Sequence, residues 1–245
     1  MAEAPRRGRP PRLTRDDIAS AVLEVGFAGL TFGAVRERLG VSESTLYRHA
    51  PDRDELVRIG LERALTGVTW PGLEGPWRDM LRAYGHAAWH ALAAYPGSAT
   101  EVARGVVPAA MAGLFDGVGG ALMAAGFSAE HAVLAGDLVF DLATDNRRGV
   151  EHLDALVPTA GPGRGVVGEH WQAGTAEQRA ANRNGDAPGA ASSAAHSAAS
   201  RATSSAALND GVQAAIVADP VEWFSAKLDV VLAGIEATLA PRRSA

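Results

Sequence analysis

Ser42, Ser44, Thr45, Tyr47, Arg48 and His49 gather hydroxyl, phenol, guanidinium and imidazole groups into one short stretch of TFGAVRERLGVSESTLYRHAPDR, residues 31–53. Hydroxyls donate to or accept from base edges and phosphates, a tyrosine ring and its OH pack along a sugar-phosphate strand, and arginine takes a guanine edge bidentately. The chemistry on offer is recognition of a DNA groove. What must position these groups is a pair of short helices. Thr31 is a good N-cap, and Phe32, Val35 and Leu39 then fall on one helical face. Gly40 stops that helix, Val41 plugs the corner, and Ser42 caps a second helix with Glu43 in its first turn, where the helix dipole favours negative charge. The second helix is expected through Ala50, with Leu46 inward, and Pro51 ends it. Cap, helix, glycine, plug, cap, helix is the sequence form of a helix-turn-helix, whose second helix lies in the major groove.

The stretch LGVSESTLYRHAPDRDEL resembles the DNA-binding signature of the tetracycline-repressor (TetR) family of bacterial one-component regulators. Thr14 to Leu65 resembles its three-helix domain plus connecting fourth helix. The resemblance implies that Thr45, Tyr47 and His49 touch DNA, that Thr31 contacts a phosphate, and that Arg53 is a basic phosphate clamp. Two positions depart from the pattern. Ala50 stands where the family has a bulky apolar residue, and Arg36 where a small residue lets the two helices approach; Arg36 can snorkel outward to a phosphate.

Alanine, leucine and valine dominate, and nearly every apolar pattern has helical spacing, so the expected fold class is all-α. With no cysteine, disulfides, thiolate nucleophiles and Cys-ligated metal centres are excluded. No apolar h-region and no run of membrane-spanning length is present, which makes a cytoplasmic protein with no membrane partner the expectation. The net charge of −5 is unevenly placed: 11 Arg face 10 Asp+Glu through Leu65, and 12 Lys+Arg face 18 Asp+Glu beyond it. A locally basic face can therefore hold DNA while the rest repels it.

Residues 1–13 are read as a flexible basic arm, because Arg6, Arg7, Arg9 and Arg12 stand among Gly and Pro that cannot form a helix but can lie along a minor groove. Residues 14–66 are the helix-turn-helix domain with its connecting helix, Thr14 capping the first helix. The Gly/Pro-rich GVTWPGLEGP, residues 67–76, is the boundary at which a second domain, 67–157 and 209–241, begins. Its helices hold Tyr84, His86, Trp89, His90, Met111, Phe115, Met123, Phe140, Asp141 and Thr144, a set suited either to plain core packing or to a mostly apolar pocket with a few polar anchors. By resemblance, this domain binds a small-molecule effector.

Asp137, Asp141 and Asp145 recur every fourth residue; a solvated face, pairing with Arg147 or Arg148 across a dimer, and a cationic ligand are the open readings. Residues 158–208 lose periodicity and read as a flexible low-complexity insertion with Trp171 as a transient anchor. Asp219 and Pro220 open a last helix whose stripe, Phe224, Leu228, Val231, Leu232, Ile235 and Leu239, wants a large apolar partner. By resemblance the partner is a second copy, although burial in the same subunit also fits.

The expectation is a ligand-responsive regulator, a repressor that binds an inverted-repeat operator in double-stranded DNA as a homodimer and is released by a small, mostly apolar molecule. Effector binding would have to act through the helix from Asp54 to Leu65. An enzyme finds no phosphate loop, nucleophile elbow or metal-ligand cluster to work with, and no cofactor is called for. A helical small-molecule-binding protein or adaptor whose helix-turn-helix is only structural is the alternative.

Overall fold

A computed structural model describes residues 13–155, 169, 171–174, 176–177 and 206–241, and among these every regular element is helical. In chain order they are α1 (Arg15–Val25), a 3₁₀ turn (Phe27–Gly29), α2 (Phe32–Leu39), α3 (Glu43–Tyr47), α4 (Arg53–Thr66), α5 (Trp77–Ala93), α6 (Ser98–Ala103), α7 (Ala109–Ala124) and α8 (Ala129–Ala155). Then come α9 (206–217) and α10 (Pro220–Thr238). The chain divides into two compact units, one of residues 1–147 and 231–245, the other of 148–230.

The caps of the first unit are satisfied as their residue types demand. Thr14 and Asp17 form a reciprocal capping box, and the hydroxyls of Thr31 and Ser42 accept from the amides of Ala34 and Thr45. Gly40 ends α2 in the left-handed conformation, φ 63°. α1 and α4 pack closely because Gly60 has no side chain: a Cβ there would lie 2.4 Å from Val22 Cγ1. Around that crossing Ile18, Val22, Phe27, Val35, Leu46, Leu56 and Ile59 are buried in one core.

The Gly/Pro stretch 67–76 breaks the secondary structure but not the packing. Val106 is buried in the same core as the helix-turn-helix, and Tyr95 and Val102 pack against it. The three-helix domain is therefore completed by residues from beyond the boundary.

In the second unit, Trp171 is 43% exposed and its indole N–H donates to Asn209 Oδ1 at 2.9 Å. Helicity at 171–174 and 176–177 falls inside the insertion expected to be structureless, and helicity from 206 shortens it at its C-terminal end; most of 158–208, like Arg6, Arg7 and Arg9 of the arm, lies outside the described residues. No helix among the described residues is long and apolar enough to cross a membrane.

Candidate functional site

α3 is seated on α2 through Leu46, which is fully buried, and through a stack of Tyr47 on Phe32 with ring centroids 4.5 Å apart. Tyr47 is still 46% exposed, so the stack leaves much of its side chain outside. Ser42, Ser44 and Thr45 form a hydroxyl cluster, with Ser42 Oγ 3.1 Å from Ser44 Oγ and 2.8 Å from Thr45 Oγ1, and Arg48 reaches Thr45 Oγ1 at 3.4 Å. The helix is shorter than expected. It closes at Tyr47, and the amides of His49 and Ala50 both turn back on the Leu46 carbonyl at 2.9 Å, placing Arg48 and His49 in a turn. Ala50, small where a bulky residue was expected, is completely buried, and Arg36 is exposed on the outside of α2.

Arg53 is already engaged within the chain. It was expected as a phosphate clamp, but its guanidinium grips Glu101 of α6 bidentately at 3.0 and 2.6 Å, and its Nε–H donates to the Leu30 carbonyl at 3.1 Å. Glu101 is buried, and Arg104 binds it as well, at 2.9 Å. A bidentate pair with a buried carboxylate neutralises the charge a phosphate would need. Arg53 thus ties the start of α4 to α6. Beside that pair Gly97, at φ 90°, brings the backbone before α6 against the 3₁₀ turn between α1 and α2. Together these contacts make a joint between the helix-turn-helix and the helices that follow.

Behind the joint lies an apolar cavity among α5, α7 and α8, and Tyr84, Met111, Phe115 and Phe140 line it as expected. It encloses only about 40 Å³. Trp70 also lies in its wall although its Gly/Pro-rich surroundings read as a domain boundary, and so do the small residues Gly85, Ala88 and Gly136, which carry no sequence signal because a cavity is made where side chains are short. α7, which carries Met111 and Phe115, is pinned to α4 by Glu62, whose carboxylate accepts the Ala110 amide at 2.9 Å, at the positive end of the α7 dipole. Burial raises the Tyr84 phenol above its ordinary pKa, so it stays a neutral hydroxyl.

Residues 16–58 match the family model of bacterial regulatory proteins, tetR family, and residues 71–239 match that of the tetracyclin repressor-like C-terminal domain. The chain belongs to the tetR family. It is a helix-turn-helix, DNA-binding transcriptional regulator. The HTH-type transcriptional repressor DrrR1 of Streptomyces coeruleorubidus is 33% identical over 85 residues, which are 32% of this chain and 32% of that repressor's length. Among solved structures, ActR from Streptomyces coelicolor in complex with actinorhodin superposes with a TM-score of 0.69 at 20% identity, covering 94% of this chain and 98% of that one. BioQ of Mycobacterium smegmatis gives 0.61 at 16% identity, covering 92% and 98%. At these identities the structures speak for the fold alone.

Several of the residues expected to hold a ligand lie away from the cavity wall of this tetR-family chain. Trp89 donates to Asn146 Oδ1 at 2.8 Å, with Arg147 over its ring at 5.2 Å; it is a packing residue between α5 and α8. His90 and Asp141 are exposed, and Met123 is 52% exposed. His86 is half-buried outside the lining, and the buried Thr144 hydroxyl has no hydrogen-bond partner among the described residues.

Most of the stripe on α10 is covered by its own chain. Phe224, Leu228, Leu232 and Ile235 are buried within the single chain, and Val231 and Leu239 are half-buried. A side chain already removed from water gains nothing further from a partner. The apolar groups left outside are Trp223 and Val230 on α10, and Val133, Leu134 and Leu138 on α8. Asp137, Asp141 and Asp145 are exposed on the Leu134 and Leu138 face of α8, and no group of acids or histidines among the described residues could hold a metal. Burial, then repulsion from Asp137 and Asp145, raises the Asp141 pKa.

Proposed function

We propose that the protein is a repressor that binds an inverted-repeat operator as a homodimer and is released when a small, mostly apolar molecule occupies the cavity behind the joint. The observation that carries this reading is the continuity of packing from cavity to recognition helix. Met111 and Phe115 share a cluster with Leu65 of α4, and Val102 packs against both that cluster and the helix-turn-helix core. Expanding the cavity must then move α4 or α6, and either moves α3. An effector that weakens DNA binding a hundredfold needs about 2.7 kcal/mol of coupling between the two states. The repressor name of DrrR1 and the ligand in the ActR complex support the same direction.

Thr45, Tyr47 and the Ser42–Ser44 hydroxyls are the groups that would meet base edges and phosphates, with Thr31, Arg36, Arg48 and His49 around them. Titrating the purified protein with its own upstream DNA at two salt concentrations tests this. Thr45→Ala and Tyr47→Ala should each weaken binding by about 1–3 kcal/mol. Tyr47→Phe keeps the stack on Phe32, so any loss it shows belongs to the hydroxyl. Wild-type affinity in both alanine variants would remove α3 from the interface.

For the second copy, the outward face of α8 is the surface we assign, with Leu134 and Leu138 as its apolar centre and the acid stripe beside them. Dimer contact there would place the Asp137, Asp141 and Asp145 carboxylates near basic groups of the partner and relieve their mutual repulsion. Leu138→Glu is expected to shift the protein to a monomer on gel filtration. An unchanged elution volume at micromolar concentration would move the interface elsewhere.

A further inference from the structure

Two hollows lie side by side, and three residues belong to the walls of both: Trp70, Tyr84 and Leu114. The inner one, ringed by Phe115 and Phe140, is narrow; the outer one, reaching past Leu73 to Thr66, is open to solvent on one side and has room for about 380 Å³. An organic ligand needs roughly 300–1,000 Å³ with most of its surface covered. The inner hollow is far too small alone, and joined to the outer one it comes within that range. What divides them is a pair of rings, Trp70 lying on Tyr84 with centroids 5.9 Å apart and planes inclined by only 17°.

We propose that this stacked pair is both the door and the ligand site: a flat, uncharged aromatic molecule enters from the outer hollow, lodges between the two rings, and displaces Trp70. The inference rests on the reading of the inner cavity as the effector site. Two faces clasping a flat molecule stand two van der Waals contacts apart, about 7 Å, so the pair must open by one ring thickness. Trp70 sits on the segment bounded by Gly67 and Gly75, the latter at φ 97°, outside any helix, so a swing of its ring need not break helical hydrogen bonds of its own backbone. Neither hollow has a charged side chain in its wall, so a charged ligand would be buried unpaired. An aliphatic molecule could fill the volume but, being thicker and without a ring face, would gain less from two nearly parallel ring faces.

The displacement has a consequence at α4. The Trp70 indole N–H donates to the Leu65 carbonyl at 3.1 Å, in the last turn of α4. Moving the ring out breaks that bond and loosens the end of the helix whose other end carries Arg53. Ligand entry and release of α4 are one event.

Two ketones of equal carbon count test this on the full chain: 9-fluorenone, which is flat and aromatic, and dicyclohexyl ketone, which is neither. Calorimetry should show fluorenone binding wild type about tenfold or more tighter than dicyclohexyl ketone. Trp70→Phe should bind fluorenone within about threefold of wild type, and Trp70→Leu about tenfold more weakly. Saturating fluorenone should weaken wild-type binding to its upstream DNA about tenfold and that of Trp70→Phe far less, since phenylalanine has no N–H for Leu65. If dicyclohexyl ketone binds wild type as well as fluorenone does, or Trp70→Leu binds fluorenone like wild type, the ring-pair site is wrong while the cavity remains the effector site. An equal DNA response in wild type and Trp70→Phe overturns the link to Leu65. If neither ketone binds wild type and DNA affinity does not move, the ring-pair site is overturned; if Phe115→Trp, which fills the inner hollow, then also leaves the DNA affinity unchanged, the effector reading falls with it.

Discussion

Arg53→Ala is expected to cost about 3 kcal/mol of folding stability, because it removes the main partner of a carboxylate that stays buried. The figure lies at the low end for a broken buried pair for two reasons on either side of the bond. The Arg53 side chain is 34% exposed, and Arg104 remains on Glu101 at 2.9 Å. Glu101→Ala should cost less, since it leaves an arginine that can turn to water. Combining the two as Arg53→Met with Glu101→Leu should recover most of the loss, and a double-mutant cycle by urea unfolding measures the coupling. The same variants decide between two roles for Arg53. A phosphate clamp would lower the salt dependence of DNA binding by about one counterion and leave stability alone. The joint predicts the reverse, a stability loss with the salt slope unchanged.

The pair also sets a pH dependence. Burial alone would raise the Glu101 pKa, but hydrogen bonds and charge from Arg53, with Arg104 behind it, outweigh burial and hold it below the ordinary carboxylate value. A carboxyl with a lowered folded-state pKa stabilises the fold above its unfolded pKa, and that contribution disappears as pH falls through the lowered value. Wild-type melting temperature should therefore hold from neutral pH to about 4 and then fall. In Arg53→Ala the balance returns toward burial, and the fall should begin at higher pH.

That Arg53 faces Glu101 could not be read from the chain, and the reason is the distance between them along it. The caps at Thr14, Thr31, Ser42 and Asp52, the left-handed Gly40 and the inward Leu46 are local: each is decided by neighbours within four residues, and each sits as its type and spacing imply. Ser128, Asp219 and Pro220 mark their helices for the same reason. The joint is decided by residues 48 apart, and a basic residue after a recognition helix has the same appearance whether it meets a phosphate or a carboxylate. The cavity was half legible because its rings are conspicuous, whereas the glycines and alanines that give it room are not. The α10 stripe shows a further limit, since periodicity identifies a face that must be covered and says nothing of whether its own chain or a second copy covers it.

Gly97 is where the joint admits least change. Its residue type suggests only a turn before α6, and at φ 90°, ψ −16° an L side chain is strained by about 1–2 kcal/mol wherever it points. Here it also points at main chain: a Cβ would lie 2.5 Å from the Ala28 nitrogen and 3.0 Å from the Phe27 carbonyl carbon. Main-chain atoms cannot rotate aside, so the 3₁₀ turn and α6 would have to separate, and forced overpacking adds about 1–3 kcal/mol. Separation would also draw Glu101 away from Arg53 and Val106 out of the helix-turn-helix core. Gly97→Ala is therefore expected to destabilise the protein by roughly 2–5 kcal/mol in all. Gly105 supplies the control, with φ 88° and nothing within 4 Å of its absent Cβ, so Gly105→Ala should show the backbone strain alone. The difference between the two variants in urea unfolding isolates the contact between α6 and the reading head. If they unfold alike, the two backbones do not meet there, and a signal from the cavity would have to reach α3 through α4 alone.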